Sequence, residues 1–152
     1  MVLADAGMPG SSHPYHAAAA LPFPAAEEFV RKAAESSRAL ALEALSAAVS
    51  ALESQGHAVA GCAVVLGAGR NLPGLQAILA SHALIHTAEG EMFRQALVWA
   101  AGECGLPVTG VGEKQLDTNL LERVARLGKS IGPPWTQDQK YATVAALMAI
   151  EG

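Results

Sequence analysis

Apolar residues recur along this chain at helical spacing in some stretches and as short continuous runs in others, and each pattern predicts an element. From Pro24 to about Ser54, Val30, Ala34, Ala41, Leu45, Ala48 and Leu52 form one helical stripe, with the pairs Glu27/Arg31, Glu28/Lys32 and Arg31/Glu35 on the wet side. Pro24 and the acidic Glu27 and Glu28 suit the start of that helix, and Gly56 suits its C-terminal cap. His57 to Leu66 is nearly continuously apolar between Gly56 and Gly67, which predicts a central strand covered on both faces. Leu75, Ile78 and Leu79, behind Pro73 and Gly74, predict a short helical or extended lead-in to the next element. That element is a helix from Ser81 to Cys104, whose inward face carries Ile85, Met92, Phe93, Ala96, Leu97, Trp99 and Ala100 while Glu91, Arg94 and Gln95 turn to water.

Leu106 to Val111 predicts a second strand, so that strand, helix and strand form a right-handed βαβ unit. Asp117, Thr118 and Asn119 compete as N-cap of a helix running through Leu127 and closed by Gly128, with Leu120, Leu121, Val124 and Leu127 inward. Gly132-Pro133-Pro134-Trp135 predicts a stiff turn presenting a large aromatic. Thr136 and Gln139 then form a capping box for a last helix to about Ile150, with Tyr141, Ala145 and Met148 inward. Residues 24–152 are thus expected to form a single α/β domain, a small, mainly parallel sheet flanked by helices. Residues 1–23 mix Gly, Ser, Pro, His and Ala without a period, which predicts a disordered arm; His13 and His16 could form a metal pair there, but solvated histidines in a loose tail are expected.

Composition narrows the function classes. A chain of 152 residues, 51% of them hydrophobic, supports one core rather than two. A net charge of −4 with ten Lys plus Arg does not favour a surface built to grip nucleic acid. Without a basic, then apolar, leader or a run of ~18 apolar residues, neither export nor a membrane partner is expected. Cys62 and Cys104 have no CxxC or zinc-finger spacing and are expected as reduced thiols of a cytoplasmic protein. Gly67-Ala68-Gly69-Arg70 lacks the full dinucleotide fingerprint and the P-loop lysine, so a turn is expected there rather than a phosphate cradle.

The candidate chemistry lies on the helix from Ser81. His82, His86 and Glu89, spaced i, i+4, i+7, fall within its apolar face, where a charge is costly unless it is paired, protonated or holding a ligand. Two imidazoles and a carboxylate so placed suit a divalent cation such as zinc, manganese, magnesium or iron, or an acid–base pair of Glu89 and His86 acting on a small molecule. The structural alternative has His82 capping the helix, His86 hydrogen-bonded in the core and Glu89 paired with Lys114, Arg70 or Lys140. Gly90, beside His86, implies a close approach by a backbone or a ligand. Asp138 is either a first-turn acid favoured by the helix dipole or a further catalytic residue.

The runs Glu89-Gly90-Glu91-Met92-Phe93-Arg94-Gln95-Ala96-Leu97, Gly105-Leu106-Pro107-Val108 and Asp138-Gln139-Lys140-Tyr141-Ala142 resemble the back half of RNase H-like proteins of the Holliday-junction-resolvase type. The resemblance implies a reduced RNase H-like fold and a metal-dependent hydrolase that binds two divalent cations, with Glu89 or Glu91 and Asp138 as the matching acids. The front half departs from that pattern, since His57 to Leu66 contains no carboxylate where the superfamily carries an Asp. The string from Ser81 to Glu91 is also similar to one in small bacterial proteins of unassigned function. A third reading is a non-catalytic interaction protein, a homodimer joined through the long N-terminal helix.

Overall fold

The computed structural model describes residues 3–67 and 71–151. Its order is α1 (Pro14–Ala19), α2 (Phe23–Ser54), β1 (Cys62–Leu66), α3 (Leu75–Leu79), α4 (His82–Glu103), β2 (Val108–Gly112), a 3-10 turn (Glu113–Gln115), α5 (Thr118–Ile131) and α6 (Gln137–Glu151). β1 and β2 pair in parallel, with Cys62 opposite Val108 and Leu66 opposite Gly112, and α4 connects them as the expected βαβ crossover. The fold is therefore mixed α/β around a small parallel sheet. Because the described sheet has two strands, β1 is not a central strand, and it is half the length that its apolar run implied.

Side chains alternate across the sheet. Ala63 and Val65 of β1 and Val111 of β2 pack on Leu120 and Val124 of α5 and Val144 and Ala145 of α6, with Trp135 and Tyr141 at the margin. The other face of β1 meets α4. Asp117 is the residue that caps α5, accepting hydrogen bonds from the N–H groups of Asn119 at 2.7 Å and Leu120 at 3.0 Å. The Thr136–Gln139 box also forms: Thr136 N–H donates to Gln139 Oε1 at 2.7 Å, and Gln139 N–H to Thr136 Oγ1 at 3.4 Å.

Several expected faces are corrected. Gly128 does not close α5, which runs on to Gly132 at φ 81°, a conformation glycine adopts at little cost. Gly128 instead makes room for Trp135, whose indole folds back to donate from Nε1 to the Val124 carbonyl at 3.1 Å. Leu127 is exposed. The long helix α2 buries Ala41 of its expected stripe together with Ala26, Ala33 and Ser37, while Leu52 is exposed. Small side chains let α4 approach closely there, with Ala96 and Ala100 against Ala41. On the wet face Arg31 takes Glu28 and Glu35, and Lys32 takes Glu28, while Glu27 stays outside the network.

The segment expected as a disordered arm departs most from the sequence reading. Pro14 opens helix α1, where its missing N–H costs nothing, and Pro14 and Ala18 are buried. Before α1 the chain lies along α2: Ser37 Oγ donates to the Leu3 carbonyl at 3.2 Å, Ser36 Oγ to Asp5 Oδ2 at 2.8 Å, and Ser11 Oγ to the Asp5 carbonyl at 2.9 Å. The prolines punctuate helix starts, Pro14 for α1 and Pro24 for α2, instead of marking irregular chain. Ala68 to Arg70 lie outside the described residues, as do the rest of the turn expected from Gly67 and an Arg70 partner for Glu89.

Candidate metal centre

Two elements distant in sequence build the cluster. α4 carries His82 and His86 one turn apart, which brings their Nε2 atoms to 3.1 Å. Both are exposed, so they do not occupy the core face where helical periodicity put them. α4 is covered on different sides by α2, by α1 and α3, and by β1, so no single inward face describes it. α1 places His16 in its last turn, with its ring 5.3 Å from that of His82 and 4.7 Å from that of His86, both nearly edge-on. His16, His82 and His86 each offer a nitrogen, and the three nitrogens lie within 4.8 Å of one another.

Glu89 supports this set instead of joining His82 and His86 directly. It is 5% exposed, and a carboxylate so buried needs donors. Three reach its Oε1: the N–H groups of Tyr15 and His16, both at 3.2 Å, and Nδ1–H of His16 at 3.0 Å. His13 Nδ1 stands 3.7 Å from Oε2. Glu89 thus caps the first turn of α1 from another helix, and among the described residues it pairs with no lysine, Lys114 and Lys140 included. The Tyr15 phenol is pushed above its ordinary value, by burial first and by the Glu89 charge second.

This donor set could hold a metal ion. A carboxylate on Nδ1 fixes the His16 tautomer and turns Nε2 outward with a lone pair, the outer-shell arrangement found behind metal-ligating histidines. Two nitrogens held by one tetrahedral zinc at ~2.0–2.1 Å lie ~3.3 Å apart, and His82 and His86 Nε2 already stand at 3.1 Å. His13, His16 and Glu89 make a second, overlapping group, in which the Nδ1 of His16 is already committed to the carboxylate.

The remaining candidates lie elsewhere. Asp138, exposed in the first turn of α6, lines a cavity of about 550 Å³ together with Arg94 and Glu113, and among the described residues belongs to no group able to hold a metal. Glu91 holds Arg94 and Gln95 of its own helix. His57 is exposed and outside both groups. The close approach implied at Gly90 comes from Arg94, with Nη1 3.2 Å from where a Cβ on Gly90 would stand. Sequence reasoning discounted His13 and His16; the available signal was their i, i+3 spacing astride Pro14, a residue suited to opening a helix. Compared with family models, curated proteins and solved structures, the chain matches none of them.

Proposed function

We propose that the protein binds one divalent transition-metal ion, zinc foremost, on His16, His82 and His86, and acts through it on a small molecule. The observation that carries this reading is the convergence of three imidazole nitrogens within 4.8 Å, one of them oriented by a buried carboxylate. Three protein nitrogens leave a fourth position open, where a bound metal supplies Lewis-acid polarisation or an acidified water. Around that position the chain contributes His13, exposed beside Glu89, as a proton carrier at the rim.

The test is metal titration of chelator-treated protein, followed by calorimetry and thermal melting. Zinc at 100 times its Kd adds ~2.7 kcal/mol of stability, a Tm rise of ~5–10 °C for a chain of this size. A stoichiometry of one ion, lost in His86→Ala and in His16→Ala, supports the reading. Equal zinc affinity in the wild type and both variants refutes it. Magnesium-dependent cleavage of branched or hybrid nucleic acid, abolished by Asp138→Asn, would support the RNase H-like nuclease instead. A stable dimer indifferent to every cation would support the interaction protein.

A further inference from the structure

We propose that the cavity along β1 binds a small zwitterion with an apolar body, of the amino-acid class, its carboxylate on Arg94 and its ammonium group between Glu113 and Asp138. This inference does not rest on the metal centre. The cavity of about 550 Å³ is large enough for such a molecule, and it runs along β1 from Cys62 to Gly67, beside Arg94 and Leu97 of α4 and the start of α6.

Arg94 is the built feature. Expected in water, it is instead only 27% exposed and runs between two glycines. Its Nη2 lies 2.5 Å from where a Cβ on Gly67 would stand, and its Nη1 3.2 Å from the same point on Gly90. A side chain at Gly67 would require the guanidinium to move, and one at Gly90 a smaller shift, so the two glycines leave the planar fork its place at the cavity wall. Among the described residues its only hydrogen bond is from Nε to Glu91 at 3.3 Å, leaving the terminal nitrogens for a bidentate carboxylate.

The acids decide the ligand's second charge. Glu113 follows β2 and Asp138 opens α6, and both line the same cavity as Arg94 without forming an ion pair with it. Arg94 offers an anionic group its terminal nitrogens, and Glu113 and Asp138 offer a cationic group their carboxylates, so a molecule carrying both signs meets an opposite charge at each end. Between the charged ends, Leu45, Leu97 and the ring of Tyr141 supply an apolar wall for the body of the ligand.

The experiment titrates chelator-treated protein with L-leucine, L-methionine and L-phenylalanine, each with its N-acetyl and carboxamide derivatives, by calorimetry and amide NMR. Expected is saturable binding of at least one free amino acid at millimolar concentration or better, with each derivative weaker by roughly 10- to 100-fold as one charged end is removed. Arg94→Gln should abolish binding of the free acid. The double change Glu113→Gln and Asp138→Asn should remove the preference for the free amine over the N-acetyl form. No binding by any of the three amino acids, or derivatives that bind as tightly as their parents, overturns the proposal. The derivative series on the wild type decides the matter even if Arg94→Gln does not fold.

Discussion

Replacing Glu89 by Gln tests the joint between the N-terminal segment and α4. The carboxylate is buried and accepts three hydrogen bonds on Oε1, from Tyr15 N–H, His16 N–H and His16 Nδ1–H. A hydrogen bond to a charged acceptor contributes about 1.5–3 kcal/mol, against about 0.5–1.5 for a neutral one. Glutamine keeps an oxygen in place and loses the charge, so each bond weakens by about 1 kcal/mol. Since the three share one oxygen and are not additive, about 2 kcal/mol is the expected total. That loss falls on α1 docking and not on the sheet. In hydrogen exchange the amides of Tyr15 and His16 should exchange roughly 30-fold faster, while those of α5 and α6 are unchanged. Zinc affinity should fall by about 10- to 100-fold, because the tautomer of His16 is no longer fixed. Unchanged exchange at Tyr15 and His16, together with unchanged zinc affinity, would refute both the capping role and the orienting role of Glu89.

Gly128→Ala should destabilise the protein by about 1–2 kcal/mol in urea melts, because a Cβ there would meet the Trp135 indole at 2.5 Å and overpacking outweighs the gain in helix propensity. Cys62 should alkylate more slowly than an unhindered thiol at neutral pH, since burial, and secondarily Cys104, pushes its thiol upward; mass spectrometry of iodoacetamide-treated protein reads this directly. Glu28 should remain ionised well below pH 4, because hydrogen bonds from Arg31 first and Lys32 next lower it from 4.5 to about 2. Its folded value lies below the unfolded one, so the stabilisation is complete above the unfolded value and is lost as the pH falls through about 2. Carboxyl-carbon NMR of the wild type and Arg31→Gln should separate the two titrations.

Local signals made much of the fold legible. The order strand, helix, strand formed as read, although β1 is shorter and not central; Asp117 is one of the three cap candidates left open, and the Thr136–Gln139 box formed as read. The reading failed where a contact crosses the chain. α2 buries Ala26, Ala33, Ser37 and Ala41, of which the periodic stripe held only Ala41; alanine and serine are too weakly hydrophobic to mark a face, so the pattern followed Val30 and Leu52. Glu89 was recognisable as a buried charge in need of partners. Its partners, however, lie 73 and 74 positions away in a stretch whose composition resembles a loose tail. His82 and His86 were singled out for the right helix and the wrong environment, because α4 is covered from several sides and their strip between those covers stays open.

On the proposed reading, the same long-range contact would link docking of the N-terminal segment to metal binding. His16 belongs to α1, whereas His82 and His86 belong to α4, so the three nitrogens converge only while α1 is docked. Glu89 holds α1 in that position through its backbone and holds the His16 ring through Nδ1, and both functions act from one oxygen. Apparent affinity for the ion is then the intrinsic affinity scaled by the docked fraction, and the ion in turn stabilises docking by the same factor. A metal should therefore slow exchange at Tyr15 and His16 in the wild type by the factor 1 + [zinc]/Kd, and by less at the same zinc concentration in Glu89→Gln, whose affinity is lower. Zinc that raises the Tm without slowing exchange at these two amides would instead place the site on α4 alone, without the arm.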